Sequence, residues 1–302
     1  MIAMATKIKS AEVEAKIAKF REMVEAELGR ILGREETILY QAMRYAVLGG
    51  GKRFRPLLTL AAAEAFGGAA AVKTALPFAA AVELVHAYSL IHDDLPCMDD
   101  DDTRRGKLAC HRAFGEDMAL LAGDSLLTMA FEVMAGAEVP PGGTNRARKI
   151  RVIGEMARLA GPDGMIGGQV LDITFSPENA TPESLFQLML RKTGALITWA
   201  ARAGAILGGA RPSALKAVTI YGENLGLAFQ VRDDLDDAGK KAVPRRKPRP
   251  GRSASEANYA AFIGRDKAEE RLVRLVDGAL AALDKGRIKS PLLRHLALSL
   301  NR

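Results

Sequence analysis

The stretch Glu83-Leu84-Val85-His86-Ala87-Tyr88-Ser89-Leu90-Ile91-His92-Asp93-Asp94-Leu95-Pro96-Cys97-Met98-Asp99 closes a long apolar run on an aspartate cluster. The run itself, Ala75 to Ile91, has the composition of a helix buried on most sides, and Leu120 to Ala135 repeats that character. Carboxylates set into such sequence are costly to bury unless a cation offsets the desolvation. Clustered this densely they also repel each other, which favours hard divalent ions such as Mg2+. A second cluster, Asp233-Asp234-Leu235-Asp236-Asp237, likewise sits in apolar, helix-like sequence. Two such clusters, with basic residues before and between them, predict a metal-bridged diphosphate.

Outward from these clusters the pattern stays helical. Val13, Ile17, Phe20, Val24 and Leu28 recur at steps of three and four, one face of an amphipathic helix. Gly49-Gly50-Gly51, Gly67-Gly68, Pro140-Pro141-Gly142-Gly143, Gly161-Pro162 and Gly208-Gly209 punctuate the chain, and alternating strand patterns with hairpin signals are absent. The 302 residues, 48% hydrophobic but only 5% aromatic, are enough for one large aliphatic core. The expected fold is therefore all-α: a single domain over residues 1–302 with ten or more helices, given typical helix lengths. No run of about 18 uncharged apolar residues predicts a membrane span, and Met1 to Lys19 lacks a signal-peptide apolar core. Cys97 and Cys110 supply neither a disulfide framework nor a zinc spacing, so a reducing, cytoplasmic setting is expected.

The net charge of +7 is local. Lys240, Lys241, Arg245, Arg246, Lys247, Arg249 and Arg252 place seven cations in thirteen residues without an acid, which leaves 36 basic against 36 acidic residues elsewhere. A nucleic-acid surface spread over the fold is excluded by that neutrality, and interleaved aromatics are missing. Pro244, Pro248 and Pro250 make residues 240–252 a basic, proline-rich loop rather than a packed helix.

Residues four apart on a helix differ by about 40° in direction, so Asp233 and Asp237 project together. Asp93 and Asp99 are six apart and do not align on an ideal helix; Pro96 breaks the ladder between them and allows both to reach one site. Cations complement the acids. Gly51-Lys52-Arg53-Phe54-Arg55-Pro56 joins backbone freedom to positive charge, a combination suited to phosphate oxygens. Arg104 and Arg105 follow the first cluster. Lys192-Thr193-Gly194 lies in apolar sequence, where an unpaired lysine is costly. Taken singly, each of these cations is most often a surface charge. Walker spacing is absent around Gly51-Lys52, and His86 and His92 lack partners for zinc.

Together these segments resemble the trans-isoprenyl diphosphate synthases, most closely the bacterial farnesyl diphosphate synthases. The similarity runs through Gly50 to Pro56, Glu83 to Pro96, Asp99 to Gly106, Leu121-Ala122-Gly123-Asp124, Gly164 to Gln169, Lys192 to Leu196 and Phe229 to Asp234, in the family's order. The resemblance implies an all-α bundle around a deep central cavity, usually a homodimer, that condenses isopentenyl diphosphate with an allylic diphosphate. It implies Mg2+, three ions with substrate bound, held by Asp93, Asp94, Asp99, Asp233 and Asp237. Arg104, Lys192, Thr193 and Gln230 would face the allylic diphosphate and its cation; Lys52, Arg55, His86 and Arg105 would hold isopentenyl diphosphate. Tyr88 and Ser89, the fifth and fourth positions before Asp93, would set chain length, and an aromatic at 88 resembles the farnesyl (C15) pattern.

The match weakens after Asp234. The family's aspartate-aspartate, two apolar residues, aspartate order becomes Leu235-Asp236-Asp237 here, as if one residue were deleted, and Asp237 alone keeps the four-residue spacing to Asp233. Where the family carries a Lys-x-Thr-Tyr element, this chain reads Glu256-Ala257-Asn258-Tyr259. Geranylgeranyl diphosphate synthase is the nearest alternative. A terpene cyclase fits less well, because it needs no second-substrate cations. An impaired regulatory subunit is disfavoured by the intact Asp93, Asp99, Asp233, Lys192 and Arg104.

Overall fold

The computed structural model describes residues 2–238 and 258–301; the basic loop at 240–252 and Glu256-Ala257 lie outside the described residues. The chain runs through α1 (Ile2–Leu32), α2 (Ile38–Val47), α3 (Phe54–Asp93), α4 (Cys110–Phe114), α5 (Glu116–Gly136), α6 (Gly143–Ala160) and α7 (Met165–Ile173). It continues through α8 (Pro182–Met189), a single π-helical turn (Leu190–Gly194), α9 (Ala195–Leu207), α10 (Pro212–Ala238), α11 (Tyr259–Ile263), α12 (Arg265–Lys285) and α13 (Pro291–Leu298).

The long helix α3 is the axis. It packs most extensively on α9 and α5, while α10 packs on α9 and α12. Small residues set the α3–α9 approach: a Cβ at Gly204 would lie 2.1 Å from the Thr59 carbonyl oxygen, and one at Gly208 would lie 2.8 Å from that of Ala63. With backbones this close, α9 is buried along its whole length. The polar tips of buried aromatics find partners, Trp199 Nε1 donating to Val152 O at 3.0 Å and Tyr221 Oη to Leu293 O at 2.8 Å. On α1 the predicted apolar face is realised, with Phe20, Val24 and Leu28 buried and Val13 and Ile17 packed beside them.

Gly67-Gly68 punctuates α3 as the sequence predicts: Gly68, at φ +61° and ψ −156°, is non-helical, and a second helical stretch runs on to Asp93. Two features differ from the sequence expectations. A two-residue hairpin, Thr103–Arg104 against Lys107–Leu108, follows the first aspartate cluster. Its turn residues Arg105 and Gly106 have φ of 54° and 75°, the left-handed pair such tight loops need. The hairpin is too short to leave an alternating pattern in sequence. Finally, α3 and α5 are long and apolar enough to cross a membrane, although no span was expected. In the fold, 61% and 44% of their most apolar windows are buried inside the protein.

Candidate active site

At the end of α3 the chain turns back on itself. Asp94 closes the helix, Met98 N–H donates to Leu95 O at 2.8 Å, and Asp99 N–H donates to Asp93 O at 2.7 Å. The turn across Pro96 therefore returns Asp99 to Asp93, joining two carboxylates that helical spacing alone would separate. Burial raises the Asp93 carboxyl to about 7; Lys192 opposes the shift and Asp99 adds to it. Asp94 is placed otherwise. It is buried and gripped by Arg104, whose Nε lies 3.0 and 3.1 Å from its two oxygens. Arg104 Nη2 also reaches Asp101 at 3.1 Å. In this structure Asp94, expected to hold Mg2+, and Arg104, expected to face the allylic diphosphate, are engaged with each other.

The second cluster stays within α10. Asp233 and Asp237 stand four apart, whereas Asp236 pairs with Arg232. Asp233 is exposed at the surface, yet desolvation by the groups packed around it raises its carboxyl to about 6 against the pull of Lys52 and Arg55, with Asp237 adding to the shift. Asp234 is buried and structural: it accepts from Gln230 Nε2 at 2.8 Å and from the Tyr259 backbone N–H at 2.8 Å. Gln230 Oε1 in turn accepts from the Thr193 hydroxyl at 2.6 Å. This relay runs from the cavity wall to the start of α11.

Lys192 and Thr193 occupy the π-helical turn, which presses on α7 so closely that a Cβ at Gly168 would lie 2.2 Å from Lys192 N. A π turn redirects the side chains of one helical turn, a common device at functional sites. Lys192 Nζ donates to Asp172 Oδ2 at 2.7 Å. Although burial opposes its charge, Asp172, Asp93 and Asp99 together hold Lys192 above the usual lysine value.

The other cations are arranged differently. Among the described residues Lys52, Arg55 and Arg105 form no ion pair. Arg55 is buried, its Nε lacks a hydrogen-bond partner among the described residues, and desolvation lowers its pKa against the opposing pull of Glu83 and Asp233. Arg105, joined to the Gly50 carbonyl, is also lowered, first by desolvation. His86 is pushed well below its ordinary value by burial and by Arg55, Arg105, Arg104 and Arg53, so it is neutral at pH 7. Arg53 by contrast is fully engaged with Glu25, Glu83 and the Val47 carbonyl, fixing the loop that carries Lys52 and Arg55. Arg53 thus holds the frame of the loop.

An apolar cavity of about 430 Å³ opens between α3, α5, α7 and the π turn, with Asp93, Lys192 and Thr193 on its lining and Tyr88, Ser89 and Leu127 in its wall. His86 lines this cavity and also a narrow one of about 50 Å³ that reaches Arg104 and Arg105. Gln169 contributes an amide whose oxygen and nitrogen are both buried without a partner among the described residues. Sequence reasoning assigned no role to Gln169, Asp172 or Asp234. The i, i+3 spacing of Gln169 and Asp172 on α7 was a signal for two of them, but Asp234 takes its meaning from Tyr259, which no local pattern announces.

Among the described residues no three His, Cys, Asp or Glu side chains form a ready-made metal cage. Mg2+ is typically held by one or two carboxylates, retained waters and substrate phosphate oxygens. Asp93 with Asp99, and Asp233 with Asp237, are donor sets of that kind.

The chain as a whole is similar to known proteins. The sequence model of the family "Polyprenyl synthetase" matches residues 36–249. Farnesyl diphosphate synthase of Geobacillus stearothermophilus is 39% identical over 88% of this chain and 90% of its own length. The Escherichia coli (strain K12) farnesyl diphosphate synthase is 41% identical over 82% and 83%. Geranylgeranyl pyrophosphate synthase of Catharanthus roseus chloroplasts is 42% identical over 84% and 71%. A crystal structure of an FPP/GFPP synthase from Zymomonas mobilis superposes with a TM-score of 0.81 at 33% identity, covering 97% of this chain and 99% of that one. The chain belongs to the polyprenyl synthetase family, and its fold is the all-α isoprenoid synthase fold.

Proposed function

We propose that the protein is a prenyltransferase that joins isopentenyl diphosphate head to tail to dimethylallyl or geranyl diphosphate, with farnesyl diphosphate as its main product. The observation that carries this reading is the gathering of carboxylates and cations at one apolar cavity: Asp93, Arg55 and Lys192 line it, and Asp233 interacts with Lys52 and Arg55. Desolvation raises Asp93 and Asp233 and lowers Arg55 and Arg105, and the oppositely charged neighbours offset it only in part. Diphosphates and their counter-ions would supply the remaining charge.

Asp93, Asp99, Asp233 and Asp237 would hold the Mg2+ ions, three with substrate bound, and Asp94 would contribute by fixing Arg104 beside them. Bound Mg2+ supplies charge neutralisation for the departing diphosphate. Lys192, kept protonated by Asp172, donates to the same leaving group and needs no reorganisation to do so. As the allylic C–O bond breaks, the Thr193 hydroxyl offers lone pairs to the developing cation, because its proton is committed to Gln230. Lys52, Arg55 and Arg105 would grip isopentenyl diphosphate beside neutral His86, aiming its double bond at the allylic carbon. The new C–C bond forms, and the released diphosphate takes the proton then lost from the adduct. The growing chain extends into the cavity until it meets Tyr88 and Ser89.

Residues 1–302 act as one catalytic domain in this reading. A cytoplasmic homodimer accords with it, and Leu120 and Leu121 on α5, 47% and 51% exposed, offer an apolar face. Product length is the point on which a geranylgeranyl synthase, like the Catharanthus relative, would differ, and Tyr88 in the wall favours the shorter chain. Incubation with isopentenyl diphosphate, each allylic primer and Mg2+ should give a C15 diphosphate as the main product. Consumption of the allylic substrate alone, with hydrocarbon release, would overturn the reading in favour of a cyclase.

A further inference from the structure

The aromatic wall of the cavity is not held by its own polar atom. Tyr88 is 5% exposed and its hydroxyl has no hydrogen-bond partner among the described residues, so packing alone fixes the ring. The edge of that packing is His92, whose ring meets Tyr88 in a T-shaped contact at 5.7 Å and 79°. His92 is itself seated on α5. Its Nε2 lies 3.1 Å from the Leu120 carbonyl oxygen, which only accepts, so Nε2 carries the proton. The seat exists because residue 123 is glycine: a Cβ there would stand 2.1 Å from His92 Nε2 and 2.4 Å from Cδ2. Asp124 Oδ1, 3.9 Å from Nε2, flanks it.

We infer that Gly123 and His92 are positioning residues for product length: Gly123 admits the imidazole, and the imidazole buttresses Tyr88 as the stop for the growing chain. The inference rests on the chain-elongation reading above. Without the imidazole, the phenol tips into the vacated space and the wall recedes. Because Gly123 acts only by making room for His92, its effect vanishes once the imidazole is gone.

The test is the product profile of the full-length protein with isopentenyl and geranyl diphosphates and Mg2+, read as the ratio of longer to main product. His92→Ala is expected to raise that ratio roughly 2- to 10-fold, the equivalent of one aromatic pair. His92→Phe, which keeps a ring in the seat, is expected to restore the parental ratio. Gly123→Ala shifts the ratio alone but adds nothing in the His92→Ala background, and it decides the matter by itself if His92→Ala abolishes turnover. Tyr88→Ala is the control. If it lengthens the product while His92→Ala and His92→Phe give identical profiles, or Gly123→Ala acts equally in both backgrounds, the buttress is refuted and the stop at Tyr88 stands. If Tyr88→Ala leaves the profile parental, stop and buttress fall together, whereas a parent that joins no isopentenyl unit refutes the elongation reading itself.

Discussion

The two aspartate clusters look alike in sequence and are built in opposite ways. The first ends a helix: α3 stops at Asp93, and a backbone turn returns Asp99 to it. The second never leaves the helix, and its members diverge by face. Asp233 and Asp237 share one, Asp236 pairs with Arg232, and buried Asp234 ties α10 to Tyr259. In both, one carboxylate is spent on the scaffold: Asp94 on Arg104 and Asp234 on the Tyr259 backbone. In the proposed reading, a run of aspartates is partly a ligand set and partly the clamp that aims it.

That division is open to attack. The largest effect is expected at Asp93→Asn, which removes a donor from the closed turn and should lower kcat by at least about 10³-fold in a steady-state assay, on the scale of losing preorganised charge stabilisation. Asp172→Asn, which leaves Lys192 buried beside a weaker partner, should cost about 10- to 100-fold in kcat/KM, as losing a supporting contact does. Asp234→Ala breaks two accepted hydrogen bonds and should destabilise the fold by about 1–3 kcal/mol in chemical denaturation, with a smaller loss of kcat than Asp93→Asn. A reversed order of the first and last would show that ligand and clamp have been exchanged.

The smallest predicted effect is one of pH. The folded-state pKa of Asp93, about 7, lies above its ordinary value, so folding favours the protonated carboxyl. Its contribution to stability is therefore present in acid and lost as pH rises through 7. The metal-free Asp93→Asn variant should accordingly gain Tm relative to the parent between about pH 4 and 7, whereas Mg2+ with inorganic diphosphate should erase that gain by stabilising only the parent.

The fold class was legible because helical periodicity and long aliphatic runs are local properties. The Asp93, Asp233 and Lys192 segments were legible because charge in apolar sequence demands compensation. What escaped were pairings across distance. Asp172 explains how Lys192 is tolerated in its apolar surroundings, yet it lies twenty residues away on another helix. Tyr259 gives Asp234 its role from the far side of residues 239–257. The Arg105-Gly106 hairpin and the π turn at Leu190–Gly194 escaped for another reason: each is a single turn, too short to establish a period.

The central claim is that the ends of α3 and α10 hold one diphosphate between them. Calorimetric titration with a non-ionising allylic thiolodiphosphate, with and without Mg2+, tests it in the parent, Asp93→Asn and Asp233→Asn. Each single variant is predicted to lose at least about 10-fold in Mg2+-dependent affinity, and the double variant less than the product of the two losses, because both act on one bound group. Parental affinity in Asp233→Asn, or strictly multiplicative losses, would contradict a shared diphosphate.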